Sequence, residues 1–397
     1  STRINEGCDC TSLDRDALVR TLRDGGARDE TADIWESHPH LFADTPVYVS
    51  RQDVAHMERL IAAIEALASQ PDYRAEVLQR APAIAHLDYG PRGALMGYDF
   101  HLSPDGPRLI EINTNAGGAF LNAAACEAQR ICCEAAGIGR RIACPTDASE
   151  RLATMFVSEW RRQRRSGSPG LIAIVDDNPT GQYLYPEFLL AIGTLKAHGL
   201  EAVVADPTEF EHRDGKLWLG GRIVDLVYNR LVDFDLSETR HGALRGAYRR
   251  GEVVVTPNPF VHALLAEKRN LVTMSDASAL AGLGVGAADR EIFASIPRTR
   301  LVTEDTADRL WAERNTLFFK PVAGHGGKAV YRGDKVTKRV WTDIVAGDYV
   351  AQDAVTPSER LVAIAGEQTR RKLDVRLYTY SGETLLAAAR LYQGQTT

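Results

Sequence analysis

The chain has 397 residues, 44% apolar and 25% charged, enough for two or three domains with real cores. Its formal net charge of −6 argues against nucleic-acid or anionic-membrane binding, and no apolar run is long enough for a transmembrane helix. Residues 1–10, STRINEGCDC, lack a secretory pattern, and six cysteines without CxxC pairing predict reduced thiols in a cytoplasmic protein.

In chain order, residues 12–80 read as mostly helical. SLDRDALVRTLRDG opens on a Ser12 cap and stops at Gly25, and DVAHMERLIAAIEALAS has helical apolar spacing. ALMGYDFHL and RLIEINTN are short strands around SPDGP, whose turn chemistry predicts a hairpin. Helices are expected over 119–137 and 147–165, the second ending in RRQRRSGSPG. In an acidic chain, at a helix end before a linker, that basic run favours a solvated face and sets a domain boundary. GLIAIVDD, PEFLLAIGTLKAHG and EAVVADP form a strand–helix–strand unit, followed by a hairpin at RDGK and the strand VDLVYNR. Residues 261–295 read as helical. LFFKPVAGHGGKAVYRG is two strands about a glycine loop, and DYVAQDAV, KLDVRLYTYSG and TLLAAARLYQG add three strands.

The hairpin carries the first chemical pattern. With its turn centred on Asp105, residues whose numbers sum to 210 face each other, so Asp99 lies across from Glu111 with Asn113 one step along. Like charges directly opposite destabilise a strand pair, and a cation between them reverses the sign. Two carboxylates and an amide oxygen suit Mg²⁺ shared with substrate phosphates, although a wet acidic hairpin gives the same spacing. In FFKPVAGHGGKAVY a strand delivers Lys320, and Gly324, His325, Gly326 and Gly327 form a loop whose amides can lie against phosphates. GxxxxGK[ST] is absent, and a plain glycine hairpin with a surface lysine stays open.

Lys268, in the helical HALLAEKRNLVTM, reads alone as a surface lysine. Gln352, Asp353 and Val355 in DYVAQDAV can serve an adenine edge and ribose hydroxyls, or belong to an ordinary core strand. Asp176 and Asp177 end the strand LIAIV at the usual ligand edge of an α/β sheet, where they can receive an amine or cap a helix. Arg230 ends VDLVYNR, and a guanidinium fork matches a carboxylate. GLGVG at 282–286 is not a full GxGxxG, and no GxSxG appears, so dinucleotide oxidoreductase and α/β-hydrolase readings lack support.

Together and in this order, the Lys-Pro-glycine loop, YVAQD and LDVRLYTYSGETLLAAAR resemble the nucleotide-binding half of ATP-grasp ligases. In most of that superfamily the metal-binding E-x-N follows those elements, whereas here Glu111 and Asn113 come long before Lys320. That order is similar to the circularly permuted members: eukaryotic glutathione synthetase and the synthetase domain of glutathionylspermidine synthetase. Asp99-Phe100 and Glu111-Ile112-Asn113 match the latter's metal-binding pattern. The resemblance implies a circularly permuted ATP-grasp fold of the α+β or α/β class. Residues 1–165 would hold a helical region and the metal hairpin, 166–260 an inserted Rossmann-like substrate domain, and 261–397 the nucleotide-binding subdomains.

It also implies an ATP- and Mg²⁺-dependent ligase in which an amine attacks an acyl phosphate, releasing ADP and phosphate. Asp99, Glu111 and Asn113 would hold Mg²⁺; Lys268 and Lys320 would neutralise phosphates beneath a 324–327 lid; residues 350–353 would hold adenine and ribose. Arg390 would steady the transferring phosphoryl group, unless it serves a structural salt bridge, and Arg230 would clamp a substrate carboxylate. Two departures stand out. The arginine expected two residues before the metal Asp is Gly97 here, leaving Arg92 as the nearest upstream candidate, and the glycine loop carries no glutamate. Both point away from glutathione and spermidine, and keep open a non-catalytic nucleotide-binding protein of the same fold.

Overall fold

The computed structural model describes residues 45–128, 147–324, 327, 329–364 and 367–394, with isolated positions among residues 5–43 and at Pro145. The expected helix at 12–25 and the far end of the 119–137 helix fall mostly outside the described residues. In chain order come α1 (Arg51–Ser69), α2 (Pro71–Arg80), β1 (Met96–Ser103), β2 (Gly106–Asn113), α3 (Ala119–Glu127) and α4 (Ala148–Arg164). Then follow β3 (Ile172–Val175), α5 (Tyr185–Ala197), β4 (Ala202–Ala205), β5 (Phe210–Arg213), β6 (Lys216–Leu219), β7 (Arg222–Val224), β8 (Leu226–Asn229), α6 (Gly242–Arg249) and β9 (Val254–Thr256). After a run of short helices the chain ends with β10 (Thr299–Leu301), α7 (Glu304–Glu313), β11 (Leu317–Pro321), β12 (Tyr331–Arg332), α8 (Lys338–Ala346), β13 (Tyr349–Asp353), β14 (Glu359–Ile364), β15 (Glu367–Tyr380) and β16 (Glu383–Tyr392).

Helix α1 starts where Ser50 accepts the Asp53 amide, and its Met57, Leu60, Ile61 and Ile64 form a buried stripe at helical spacing. That stripe shares one core with Tyr98 and Phe100 of β1, Leu109 and Ile112 of β2, and Leu373, Val375 and Leu377 of β15. The alternate residues of β1 and β15, Asp99 and Arg376 among them, therefore take the opposite sheet face. Strands β14, β15, β1 and β2 run side by side, with β16 also paired to β15, all antiparallel.

A second sheet, in the order β4, β3, β8, β9, is wholly parallel, with α5 crossing from β3 to β4 as the strand–helix–strand pattern requires. A third, in the order β10, β13, β11, β12, is antiparallel and carries Lys320. The basic end of α4 works as a clasp: Arg161 donates to the Gly167 carbonyl, Arg164 to that of Glu252, and Arg162 to Tyr380 and Ser381.

Two expectations are corrected here. The stretch 261–295 is helical as expected, in a π-turn over His262–Ala266 and short helices over Asn270–Met274, Ala277–Gly282 and Ala287–Phe293, but Lys268 falls on a turn between the first two and not on a helix. Cys126 is disulfide-bonded, so not every thiol is reduced; the other five cysteines lie outside the described residues. Among the described residues no helix is long and apolar enough to cross a membrane.

Candidate active site

Gly97 faces Asn113, Tyr98 faces Ile112 and Asp99 faces Glu111, which is the register the sequence implied. Nearer the turn Phe100 faces Leu109 and Ser103 faces Gly106, so the turn is centred between Pro104 and Asp105 and not on Asp105 as the sequence suggested; a bulge that leaves Ile110 as the extra residue restores the Asp99–Glu111 pair. The Ile110 carbonyl accepts a hydrogen bond from Lys320 Nζ at 3.1 Å, so the bulge joins the metal hairpin to the third sheet.

The protein's own cations answer the repulsion between the two carboxylates. Asp99, 3% exposed, accepts from Arg376 Nε and Nη2 at 2.6 and 2.7 Å, from Arg390 Nη2 at 2.9 Å and from the Asn113 amide at 3.2 Å. Burial works to raise its pKa, but the two guanidiniums outweigh burial and hold it at about 2. Arg390 also grips Asp374 at 2.8 and 2.9 Å. Glu111 pairs with Lys268 Nζ at 3.1 Å. As donors for a hard cation, Glu111 and the Asn113 Oδ1 fit, because Asn113 spends only its NH₂ on Asp99. Asp99 fits less well, since its Oδ2 already receives three donors and its Oδ1 one.

Lys268 and Lys320 are both nearly buried. Lys268 Nζ donates to the Gly324 carbonyl at 2.6 Å, tying the glycine loop to Glu111. Lys320 Nζ donates to Gln352 Oε1 at 2.6 Å, and burial pushes its pKa down to about 8 against the pull of Glu111. Gln352 thus positions a lysine with its side chain. Asp353 pairs with Arg300 at 3.2 Å, and the Val355 carbonyl meets His101 Nδ1 at 3.1 Å. His325 and Gly326 lie outside the described residues.

At the parallel sheet, Val175 pairs with Asn229, so Asp176 and Arg230 leave adjacent strand ends together. Arg230 is buried; its Nη1 donates to the Asn115 carbonyl at 2.5 Å, while its buried Nε has no hydrogen-bond partner among the described residues. Burial raises the Asp176 pKa to about 6, with Arg230 opposing. A single cavity of about 1910 Å³ reaches from Asp176 and Arg230 past Glu111, Asn113, Lys268, Lys320 and Arg390 to Gly324, Gly327, Gln352, Asp353 and Val355. That exceeds what one small ligand needs and leaves room for a nucleotide and a second molecule.

Among the described residues lining this cavity, Asp99, Arg92 and Asp177 are missing. Asp99 lies beneath the arginines it holds. The Arg92 amide is anchored to Glu159 and its guanidinium acts on Glu65, away from the cleft. Asp177 is turned to Arg240 at 3.1 Å and to His241 at 3.0 Å.

Sequence reasoning missed four residues. Arg376 sits directly across from Asp99 on β15, and its charge in LDVRLYTY alternates with the core residues, a signal that was there to be read. Glu187, on α5, accepts from the Gly118 and Phe120 amides at 2.8 and 3.2 Å, at the start of α3. A Cβ at Gly117 would lie 2.4 Å from Leu184 Cδ1 and 2.9 Å from Arg230 Nη2, so a larger residue there would push the Arg230 guanidinium aside. His262 lines the cavity beside Thr114.

No protein-family model and no curated protein matches the chain. Solved structures do. A glutathione synthetase-like effector from Globodera pallida shares 13% identity over 95% of each chain, with a TM-score of 0.57. The chain has a glutathione-synthetase-like fold. A putative gamma-glutamylcysteine synthetase from Methylobacillus flagellatus KT (10% identity, 89% of this chain and 86% of that one, TM-score 0.49) and the ATP-grasp ligase PsnB (17%, 56% and 75%, 0.30) are more distant. The likeness is one of fold, a mixed α and β architecture, here with a cleft among the three larger sheets.

Proposed function

We propose that the chain is an ATP- and Mg²⁺-dependent ligase that joins a carboxylate to an amine through an acyl phosphate. The observation that carries this reading is the convergence, in one cavity, of two buried lysines, a hard oxygen pair and a guanidinium, with a separate Arg230–Asp176 pair at the far end. Lys268 and Lys320 receive phosphate oxygens, while Gly324 and Gly327 belong to the loop that shields the acyl phosphate from water. Glu111 and Asn113 hold Mg²⁺, which when bound draws charge off the phosphates. Asp99 reaches that ion only by yielding an arginine; its first task is to aim Arg376 and Arg390 at the transferring group. Arg376 supplies the guanidinium that Gly97 lacks.

Arg230 clamps a substrate carboxylate, and Asp176 receives an ammonium, so an amino acid or a short peptide fits this end of the cleft. Asp353 and the 350–355 strand serve ribose and adenine. The order of elements, with Glu111 and Asn113 ahead of Lys268 and Lys320, supports a circularly permuted arrangement with the parallel sheet as an inserted substrate domain.

The test is ADP release with Mg²⁺ and ATP against pooled amino acids, polyamines and short peptides. Turnover should require a pool and fall at least ~10²-fold in Glu111→Ala, the scale of a lost electrostatic contact in a transition state. A second reading, a nucleotide-binding protein without catalysis, draws on the internal pairing of Glu111 and Asp99. ATP binding without turnover in any pool would favour it.

A further inference from the structure

Resting on the ligase reading above, we propose that His262 is the base that takes the proton from the attacking amine. The imidazole is held on two sides. Its Nδ1 lies 3.1 Å from Thr114 Oγ1, and Thr114 follows Asn113 directly at the end of β2. Its ring stacks on Phe234 with centroids 3.8 Å apart and planes 8° from parallel, in the loop that follows Arg230. One side of His262 is thus fixed to the strand of Glu111 and Asn113, and the other to the loop of the carboxylate clamp. It lines the same cavity as both. An acyl carbon activated near Lys268 and an amine held near Arg230 and Asp176 must meet between these two groups.

The backbone supports the same placement. His262 opens a π-turn, His262–Ala266, and such wide turns recur where a side chain has to be aimed. Among the described residues, the hydrogen bond that fixes the ring runs between Nδ1 and Thr114. With Nδ1–H donating to Thr114, Nε2 carries the lone pair. Burial first, and Lys268 second, keep the ring neutral by lowering its pKa to about 3. The anionic acyl phosphate and nucleotide offset Lys268 and make the ring a better acceptor at the moment it is needed.

The step balances as follows. The amine nitrogen bonds to the acyl carbon, and the bond from that carbon to the phosphate oxygen breaks with its electron pair leaving on phosphate. The ammonium first sheds one proton to water; the proton that the attacking amine then loses passes to Nε2, and from the imidazolium to the departing phosphate or to water.

The test separates phosphorylation from transfer. Hydroxylamine is largely unprotonated at neutral pH and attacks acyl phosphates without a base. Wild type, with ATP, Mg²⁺ and the pools of amino acids, polyamines and peptides, should form hydroxamate with hydroxylamine and amide without it. His262→Asn keeps an amide nitrogen beside Thr114 and removes the far nitrogen. It should retain hydroxamate formation within about threefold and lose amide formation about 10²-fold, the scale of general base catalysis. Thr114→Val, which frees the ring without disturbing the stack, should lower amide formation alone, and carries the test if His262→Asn does not fold. Equal loss of both products in the variants, or full retention of amide formation, overturns the proposal. Wild type that makes no hydroxamate from any pool overturns the ligase reading and this role together.

Discussion

No side chain can stand at position 97. A Cβ there would lie 2.5 Å from the Ala116 Cβ and 3.3 Å from Arg376 Nε, so the neighbouring strand has filled the space with its own arginine. Asp99 keeps that arginine and Arg390 in place, and replacing it leaves Arg376 without its carboxylate and Arg390 with Asp374 alone. Asp99→Asn should therefore cost about 3–5 kcal/mol in urea unfolding, the range for breaking a buried ion pair from one side. Asp176 works in the other direction. Its pKa of about 6 stands above the ordinary 3.8, so the folded state binds the proton more tightly than the unfolded one. Its ionised form is a burden at every pH above 6, and that burden fades as pH falls from 6 towards 4. Asp176→Asn should be more stable than wild type by about 1–3 kcal/mol at pH 7.5, with the margin shrinking towards pH 4.5 in paired denaturation curves.

Helix α4 is tied to three other parts of the chain through one carboxylate. Glu159, fully buried, accepts from the Arg92 and Gly93 amides ahead of β1, from Thr256 in β9, and from Tyr380 in β15. Glu159→Ala strands two buried amides and two hydroxyls, and should cost about 3 kcal/mol or more by chemical denaturation. Connections of this kind were closed to sequence reading, because Glu159 and Tyr380 are far apart in the chain. What was legible was local: SPDGP gave the hairpin, and apolar runs with a glycine stop gave β3, α5 and β4, whereas Asp99 meets Glu111 only because a bulge shifts the register that the turn sets. The bulge at Ile110 carries no turn residue and gave no signal. Strand β14 also went unseen, since ERLVAI mixes charge and apolar residues without clear alternation. The Arg376 partnership depends on which strand lies beside β1, and pairing across such a separation is set by the whole sheet.

The cleft is a property of the whole molecule, since its lining comes from all three larger sheets. In it Lys268 and Glu111 neutralise each other. Phosphate that engages Lys268 releases Glu111 for a cation, and a cation on Glu111 releases Lys268 for phosphate. Each ligand therefore lowers the cost of binding the other, and by linkage the effect is reciprocal. ATP affinity measured by calorimetry should rise on adding Mg²⁺, and Glu111→Gln should remove most of that rise. At 100 times its dissociation constant, Mg·ATP should stabilise wild type by about 2.7 kcal/mol.

Glu187 has a consequence for turnover. Amides at the start of a helix attract any small anion in reach, and those of Gly118 and Phe120 lie next to a cavity that Gly118 itself lines. The chain has filled that cradle with a carboxylate of its own. On the ligase reading, departing phosphate would find that nest already taken.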